Sequence, residues 1–198
     1  MLELAKIEAG RVRVAVEPAD LGELCRGAAM MMEPQARKRR VGIELDLRVS
    51  PRVETDPRKV QQILLNLLSN AVKYAAPGED EDRGDGEVII RLESLVAEPA
   101  AVRLSVIDNG SGIPPEDQER IFQKFEQLDA SETRSHGGAG LGLAISRELA
   151  AMLQGELQLV SHMGLGSMFS LILPVSYDHD RPAMQPGEQR FEGAVSRG

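Results

Sequence analysis

Residues Asp56–Ala76 read DPRKVQQILLNLLSNAVKYAA, and the architecture is built around them. Thr55 or Asp56 is placed to cap a helix, and Pro57 suits its first turn, where a missing N–H costs nothing. At about 100° per residue, Val60, Leu64, Leu65, Leu68, Ala71 and Val72 fall on one core-seeking face. The opposite face carries Asn66, Asn70, Lys73 and Tyr74, spaced i, i+4, i+7 and i+8. A solvated helix face favours Glu, Lys or Gln, whereas Asn in mid-helix is poorer than Ala by roughly 0.5 kcal/mol. Two Asn one turn apart, followed by a Lys and a Tyr, therefore look like a set of ligands. The helix alone leaves two bland readings open: a polar surface stripe, or an Asn pair bonded inside the core.

Upstream of this helix, Met1–Ala9 has a short helical pattern stopped by Gly10, and Arg11–Val16 alternates as a strand that Pro18 ends. Asp20 can cap a helix running to about Arg40, with a kink or break expected near Glu33 because of Pro34. Val41–Val49 alternates as a second strand. Downstream, Pro77–Gly86 (PGEDEDRGDG) reads as an acidic solvated loop, and Glu87–Ala97 with Val102–Asp108 as a hairpin. A short helix within Pro115–Phe125 leads to the polar loop Glu126–Gly138, expected to be mobile without ligand. A helix over Ala139–Gln154 and a last hairpin, Gly155–Val160 with Ser167–Leu173, complete the pattern. Residues 175–198 are charged and non-periodic and read as a disordered tail. Paired strands separated by helices predict an α+β fold, a two-layer α/β sandwich: one mixed, mostly antiparallel sheet with three main helices on one face. A doubly wound parallel sheet is disfavoured because two connections are hairpins.

A length of 198 residues suits one domain, and 42% hydrophobic with 27% charged residues is ordinary for a soluble globular protein. Aromatic content of 3% with no Trp predicts an aliphatic, Met-rich core. The single Cys25 excludes an internal disulfide and a thiolate zinc site, and His136, His162 and His179 lack metal-ligand spacing. No apolar run approaches the ~18 residues of a membrane span. A net charge of −8 argues against a non-specific nucleic-acid binder but not against a small anion held by local cations and backbone N–H groups.

Three further motifs carry chemistry. His136-Gly137-Gly138-Ala139-Gly140-Leu141-Gly142-Leu143 opens a helix, where exposed N–H groups attract phosphate. It is neither a Rossmann fingerprint, since a polar loop precedes it, nor a P-loop, since the Gly-Lys-Ser/Thr ending is missing; a plain glycine hinge is the competing reading. Asp108-Asn109-Gly110-Ser111-Gly112 follows an apolar strand, so the carboxylate can face a pocket and accept from a base amino group; an Asx turn would explain the same residues. Phe122 and Phe125 fit core packing beneath a loop better than direct chemistry.

Taken together and in this order, the Asn-x-x-x-Asn helix, Asp-x-Gly-x-Gly, Phe-x-x-Phe and Gly-Gly-x-Gly-Leu-Gly resemble the N, G1, F and G2 boxes of the ATP-binding domain of sensor histidine kinases. Gly164–Phe169 resembles the closing G3 element, and the likeness runs over roughly residues 4–174. It implies the Bergerat sandwich shared with gyrase, Hsp90 and MutL, with ATP and Mg²⁺ as cofactors. Asn70 resembles the magnesium-ligating Asn, Asn66 the first Asn near metal and phosphates, Lys73 the phosphate-contacting Lys, and Tyr74 the aromatic lining the nucleotide site. Asp108 matches the carboxylate that reads the adenine amino group, with Gly110, Gly112 and Ile113 around it. Gly138, Ala139, Gly140, Leu141 and Gly142 match the phosphate-side turn. Ala139 departs from the family, where many members have Thr, and puts a side-chain contact there in doubt.

The resemblance also divides the chain: 1–10 as the end of a dimerisation helix, 11–174 as the catalytic domain, 175–198 as the tail. The phosphoacceptor belongs on a helix before this one, and no His precedes His136; His162 and His179 are expected away from the pocket. Implied partners are ATP or ADP, the His-bearing dimerisation domain of a homodimeric parent and, indirectly, a response regulator. A cytoplasmic location is expected, with no membrane contact by this chain. A gyrase-type ATPase is disfavoured because such relatives use Glu where Asn66 stands, and Asn cannot activate water. Intact Asn66, Asn70, Asp108 and glycines argue against a vestigial nucleotide-binding module. The helical piece Leu2–Ala9 argues against a Ser/Thr kinase of the anti-sigma-factor kind, since those kinases lack a dimerisation helix.

Overall fold

A computed structural model describes residues 13–75, 85–96, 100–124, 140–191 and 195–196. In chain order the elements are β1 (Glu17–Asp20), α1 (Leu21–Lys38), β2 (Val41–Leu47), β3 (Arg52–Thr55), α2 (Pro57–Ala75), β4 (Gly86–Val96) and β5 (Ala101–Asp108). Two 3₁₀ turns, Pro115–Asp117 and Arg120–Phe122, precede α3 (Gly142–Met152), β6 (Glu156–His162), β7 (Gly166–Pro174) and β8 (Val195–Ser196). The main sheet runs β2-β4-β5-β7-β6, with β8 on β4; β1 and β3 form a separate antiparallel pair. Only the β2–β4 pairing is parallel among the main five strands, Val41 opposite Gly86 through Leu47 opposite Leu92, because β3 and α2 intervene as a crossover.

The three helices cover one face of the sheet, with α2 packed between α1 and α3 and onto β4, β5 and β7. Its buried set is Val60, Ile63, Leu64, Leu67, Leu68, Ala71, Val72 and Ala75, wider than the expected stripe, and Leu65 is only half-buried. Flanked by two helices and seated on a sheet, α2 needs an apolar arc rather than a line. From the sheet come Val88, Ile90 and Leu92, then Val102, Leu104 and Val106, then Phe169, Leu171 and Leu173. The opposite sheet face carries polar and ionic pairs: Asp46 pairs with Arg91 at 2.7 Å, Glu93 faces Arg48 and Arg103, and Ser105 bonds Ser170 at 2.8 Å.

Several expectations are corrected. The core is aliphatic but not Met-rich: Met32 and Met184 are buried while Met30, Met31 and Met163 are exposed. The first described strand lies at Glu17–Asp20, where β3 pairs with it, Glu17 opposite Thr55 and Asp20 opposite Arg52; of the strand expected over Arg11–Val16, residues 13–16 are not in a strand and 11–12 lie outside the described residues. Pro18 sits inside that two-stranded ribbon rather than ending a strand, tolerated on an edge. Pro34 is exposed inside α1, which runs unbroken through it from Leu21 to Lys38, so there is no break near Glu33. The predicted helix within Pro115–Phe125 is two 3₁₀ turns.

The stretch after Pro174 is also corrected for its described part, which packs rather than dangling. Gln154, fully buried with φ +58°, donates through Nε2 to the Asp178 and Arg181 carbonyls and accepts from Asp178 N–H. Glu156 accepts from the N–H groups of Arg190 and Phe191, and Phe191 joins Leu95, Ala101 and Ile172 in a small second core. Residues 1–12, 76–84, 97–99, 125–139, 192–194 and 197–198 lie outside the described residues, and with them most of the acidic loop expected over Pro77–Gly86 and the polar loop expected over Glu126–Gly138.

Asp56 fixes the start of α2. Its Oδ1 accepts the N–H groups of Arg58 and Lys59, and Oδ2 accepts Ala15 N–H and, at 2.8 Å, Lys59 Nζ. Both side chains of that ion pair are largely buried, 3% and 12% exposed. Burial pushes the Asp56 carboxyl up, yet the Lys59 and Ala15 hydrogen bonds outweigh it and hold it below its usual range. Asp56→Ala removes a cap and strands a buried ammonium, so unfolding in urea should show a loss of about 3–5 kcal/mol. The contribution is present above the unfolded pKa of about 3.9 and disappears as pH falls through the lower folded value. A loss below about 1 kcal/mol at neutral pH would contradict this account.

Candidate functional site

Asp108 shares the sheet face of Leu104 and Val106, so the alternation that buries those residues turns its carboxylate toward the helix layer. It is 7% exposed, and Oδ1 accepts Gly110 N–H at 2.9 Å. Burial pushes its pKa up, partly offset by the N–H groups of Gly110 and Ser167. The loop that follows is tightly seated. A Cβ on Gly110 would stand 2.5 Å from the Tyr74 carbonyl oxygen, and one on Gly112, at φ +73°, 2.1 Å from the His162 carbonyl oxygen. Asn109 exchanges two hydrogen bonds with the Glu87 backbone. Ser161 Oγ accepts Ile113 N–H at 2.9 Å, and Gln118 Nε2 donates to the carbonyls of Ile113 and Ser161.

Helix α2 meets this loop at the Tyr74 backbone, against Gly110. Asn66, Asn70 and Lys73 are half-buried and Tyr74 is 45% exposed. Lys73 Nζ lies 4.8 Å from the Tyr74 ring centroid and 3.4 Å from its hydroxyl. Among the described residues the Asn70 amide has no hydrogen-bond partner, whereas Asn66 Nδ2 donates to Ser146 Oγ at 2.9 Å. The N-terminus of α3 meets α2 there: Gly140 has φ +64°, Leu141 is buried, and no side chain caps the helix. Its first N–H groups are therefore without a side-chain partner among the described residues. Phe122 stacks edge-on to Phe169 at 6.3 Å with the Arg147 guanidinium 5.0 Å from its ring, as core packing predicts.

The structure thus sets Gly110, whose N–H bonds Asp108, against the Tyr74 backbone, and Gly142 against the Asn66 side chain, two contacts at different points along α2. Gly138 and Ala139, with His136, lie outside the described residues. His162 is closer than expected, since its carbonyl touches Gly112, although its side chain is exposed. A cleft lined by Gln118, Phe122, Arg147 and Gln158 lies on the β6 side and includes none of the predicted site residues. Sequence reasoning missed Gln118, Ser146 and Ser161. A single Ser or Gln within an apolar or turn segment breaks no periodicity, so only the fold exposes what it holds.

Comparison with known proteins places this geometry. The family described as histidine kinase-, DNA gyrase B-, and HSP90-like ATPase matches residues 55–177. The chain is 36% identical over 193 residues to the circadian input-output histidine kinase CikA of Synechococcus elongatus, covering 96% of this chain and 24% of that protein. It is 39% identical over 176 residues to the sensor histidine kinase AruS of Pseudomonas aeruginosa, covering 85% of this chain and 16% of that one. The chain therefore spans a quarter or less of these relatives. Among solved structures, full-length ShkA in complex with AMPPNP superposes with a TM-score of 0.76 at 30% identity, covering 89% of this chain and 35% of that one. The catalytic domain of the histidine kinase ThkA superposes with 0.68 at 26% identity, covering 82% and 97%. The two-layer sandwich agrees with these matches, and the chain belongs to the histidine kinase-, DNA gyrase B- and HSP90-like ATPase family.

Proposed function

We propose that this chain binds ATP as the catalytic domain of a sensor histidine kinase and passes the γ-phosphoryl group to a histidine on a dimerisation domain. One observation carries the reading. Along α2, the buried acceptor Asp108 lies by the Tyr74 end, where Gly110 packs, and the uncapped N-terminus of α3 lies by Asn66. Those positions are eight residues, or about 12 Å, apart on the helix, a span that suits a nucleotide with its base at one end and its phosphates at the other.

In this reading Asp108 accepts the adenine amino group and Tyr74 flanks the nucleotide. Lys73 and the backbone N–H groups of Gly138, Ala139, Gly140, Leu141 and Gly142 offset phosphate charge. The unpartnered Asn70 amide oxygen fits Mg²⁺, a hard cation that keeps waters and is held mostly by phosphates, so one neutral protein oxygen suffices. Asn70 would hold the ion, which when bound would supply charge neutralisation to the triphosphate. Transfer breaks the bond from the γ-phosphorus to the bridging oxygen and forms one to an imidazole nitrogen, which loses its proton to solvent; ADP departs. Such transfer needs positioning more than covalent help. An unperturbed His, with pKa about 6.5, is largely neutral at pH 7, so no strong base is needed. Asn66 cannot deprotonate water, which favours transfer over hydrolysis.

The test is phosphotransfer in trans. With γ-labelled ATP and magnesium, acid-labile label should appear on an added His-bearing helix pair and not on the chain alone. A response regulator added next should then take up the label. Label on a Ser-bearing protein instead, or ADP release that ignores the acceptor, would overturn the reading.

A further inference from the structure

Gly142 and Ser146 stand one turn apart on α3 and so share a face of that helix. The Asn66 side chain lies against both. Ser146, 1% exposed, takes Asn66 Nδ2–H on its Oγ at 2.9 Å. A Cβ on Gly142 would stand 2.2 Å from Asn66 Oδ1, 3.0 Å from its Cγ and 3.2 Å from Nδ2. The amide plane thus fills the space a side chain at 142 would need: glycine clears a seat and Ser146 supplies the acceptor. The orientation is the favourable one, since the amide oxygen then lies at the positive end of the α3 dipole, where no side chain caps the helix.

We propose that Ser146 is a positioning residue of the phosphoryl-transfer reaction, which holds the Asn66 amide in the seat made by Gly142 and thereby fixes the phosphate end of the site. The proposal rests on the function given above, because Asn66 matters to catalysis only if that end of α2 faces the phosphates. An amide side chain has two free torsions; one hydrogen bond to a buried hydroxyl and one close contact remove both. The same contact ties α2 to α3, so the two elements that would flank the phosphates cannot shift independently. A small displacement of a group that orients reacting atoms can cost much in rate with little in binding.

Four variants of the full chain test it: Ser146→Ala, Ser146→Thr, Asn66→Ala and the Ser146→Ala/Asn66→Ala double. Ser146→Ala should lower kcat for transfer to a His-bearing helix pair about tenfold or more while KM for ATP stays within about twofold. Ser146→Thr keeps the hydroxyl and should restore most of the rate. The double variant should be no slower than Asn66→Ala, because Ser146 acts only through Asn66. Independently, the side-chain amide resonances of Asn66 should move in Ser146→Ala but not in Ser146→Thr. Full transfer by Ser146→Ala, losses that multiply in the double variant, or an unmoved Asn66 amide would each overturn the proposal. If the unaltered chain transfers to no histidine domain, the functional reading fails, and the amide resonances still decide whether the seat exists.

Discussion

Asp108→Ala should lower ATP affinity about a hundredfold or more, read by titration calorimetry with magnesium present. A hydrogen bond to a charged acceptor contributes about 1.5–3 kcal/mol, and removing the acceptor also strands the N–H groups of Gly110 and Ser167 that it takes inside the fold. Discrimination follows from the same atom. Adenine offers a donor to the carboxylate, whereas guanine presents a carbonyl oxygen and two acceptors would face each other, so GTP should bind far more weakly than ATP. Equal affinity for the two would remove Asp108 from the role. Because burial raises its pKa, Asp108 protonates at a higher pH than an ordinary aspartate. Nucleotide affinity should therefore begin to fall, on acidification, above the usual aspartate range near 3.9, and Asp108→Asn should flatten that dependence. The linked effect on stability has the opposite sign: the folded state takes up the proton more readily, so the cost of burying the ionised group is relieved as pH falls through the folded value.

The parts of the fold legible in the sequence are those whose order is local. The α2 stripe, the β4–β5 hairpin and the β6–β7 hairpin each repeat a period over enough residues to stand out. β3 was not legible because four residues carry too little pattern and their partner lies more than thirty residues away, at Glu17–Asp20. That same distant pairing places a strand at Glu17–Asp20 and not at the better-alternating Val14 and Val16. Met184 and Phe191 are lone apolar residues in a charged stretch, and only the outer sheet face, with Leu95, Ala101 and Ile172, shows why Phe191 is buried. The candidate site draws attention in the sequence because Asn66, Asn70 and Asp108 are polar residues placed where packing would not choose them. Ser146, which takes the Asn66 amide, and Ser161, which takes Ile113 N–H, resemble any small helix or strand residue until these contacts are seen.

Asn70→Asp separates the metal-end role of that residue from a packing role. The change is nearly isosteric, and Asn70 is half-exposed with no hydrogen-bond partner among the described residues, so stability in urea should move by less than about 0.5 kcal/mol. Transfer should respond very differently. In the proposed function the new carboxylate faces a triphosphate, and two unit charges ~4 Å apart at an effective dielectric of about 20 interact by roughly 4 kcal/mol. Magnesium between them offsets part of that, and a carboxylate is also a harder ligand than an amide, so binding of ATP should weaken less than transfer. We expect single-turnover transfer to a His-bearing helix pair to fall at least about a hundredfold. Asn70→Ala, which removes the oxygen without adding charge, should fall as well but should respond more to added magnesium, since nothing then competes for the cation's place on the phosphates. If Asn70→Asp transferred normally, α2 would present Asn70 as a plain surface amide. The metal role would then pass to the other Asn of that same face, Asn66, whose amide Ser146 already holds.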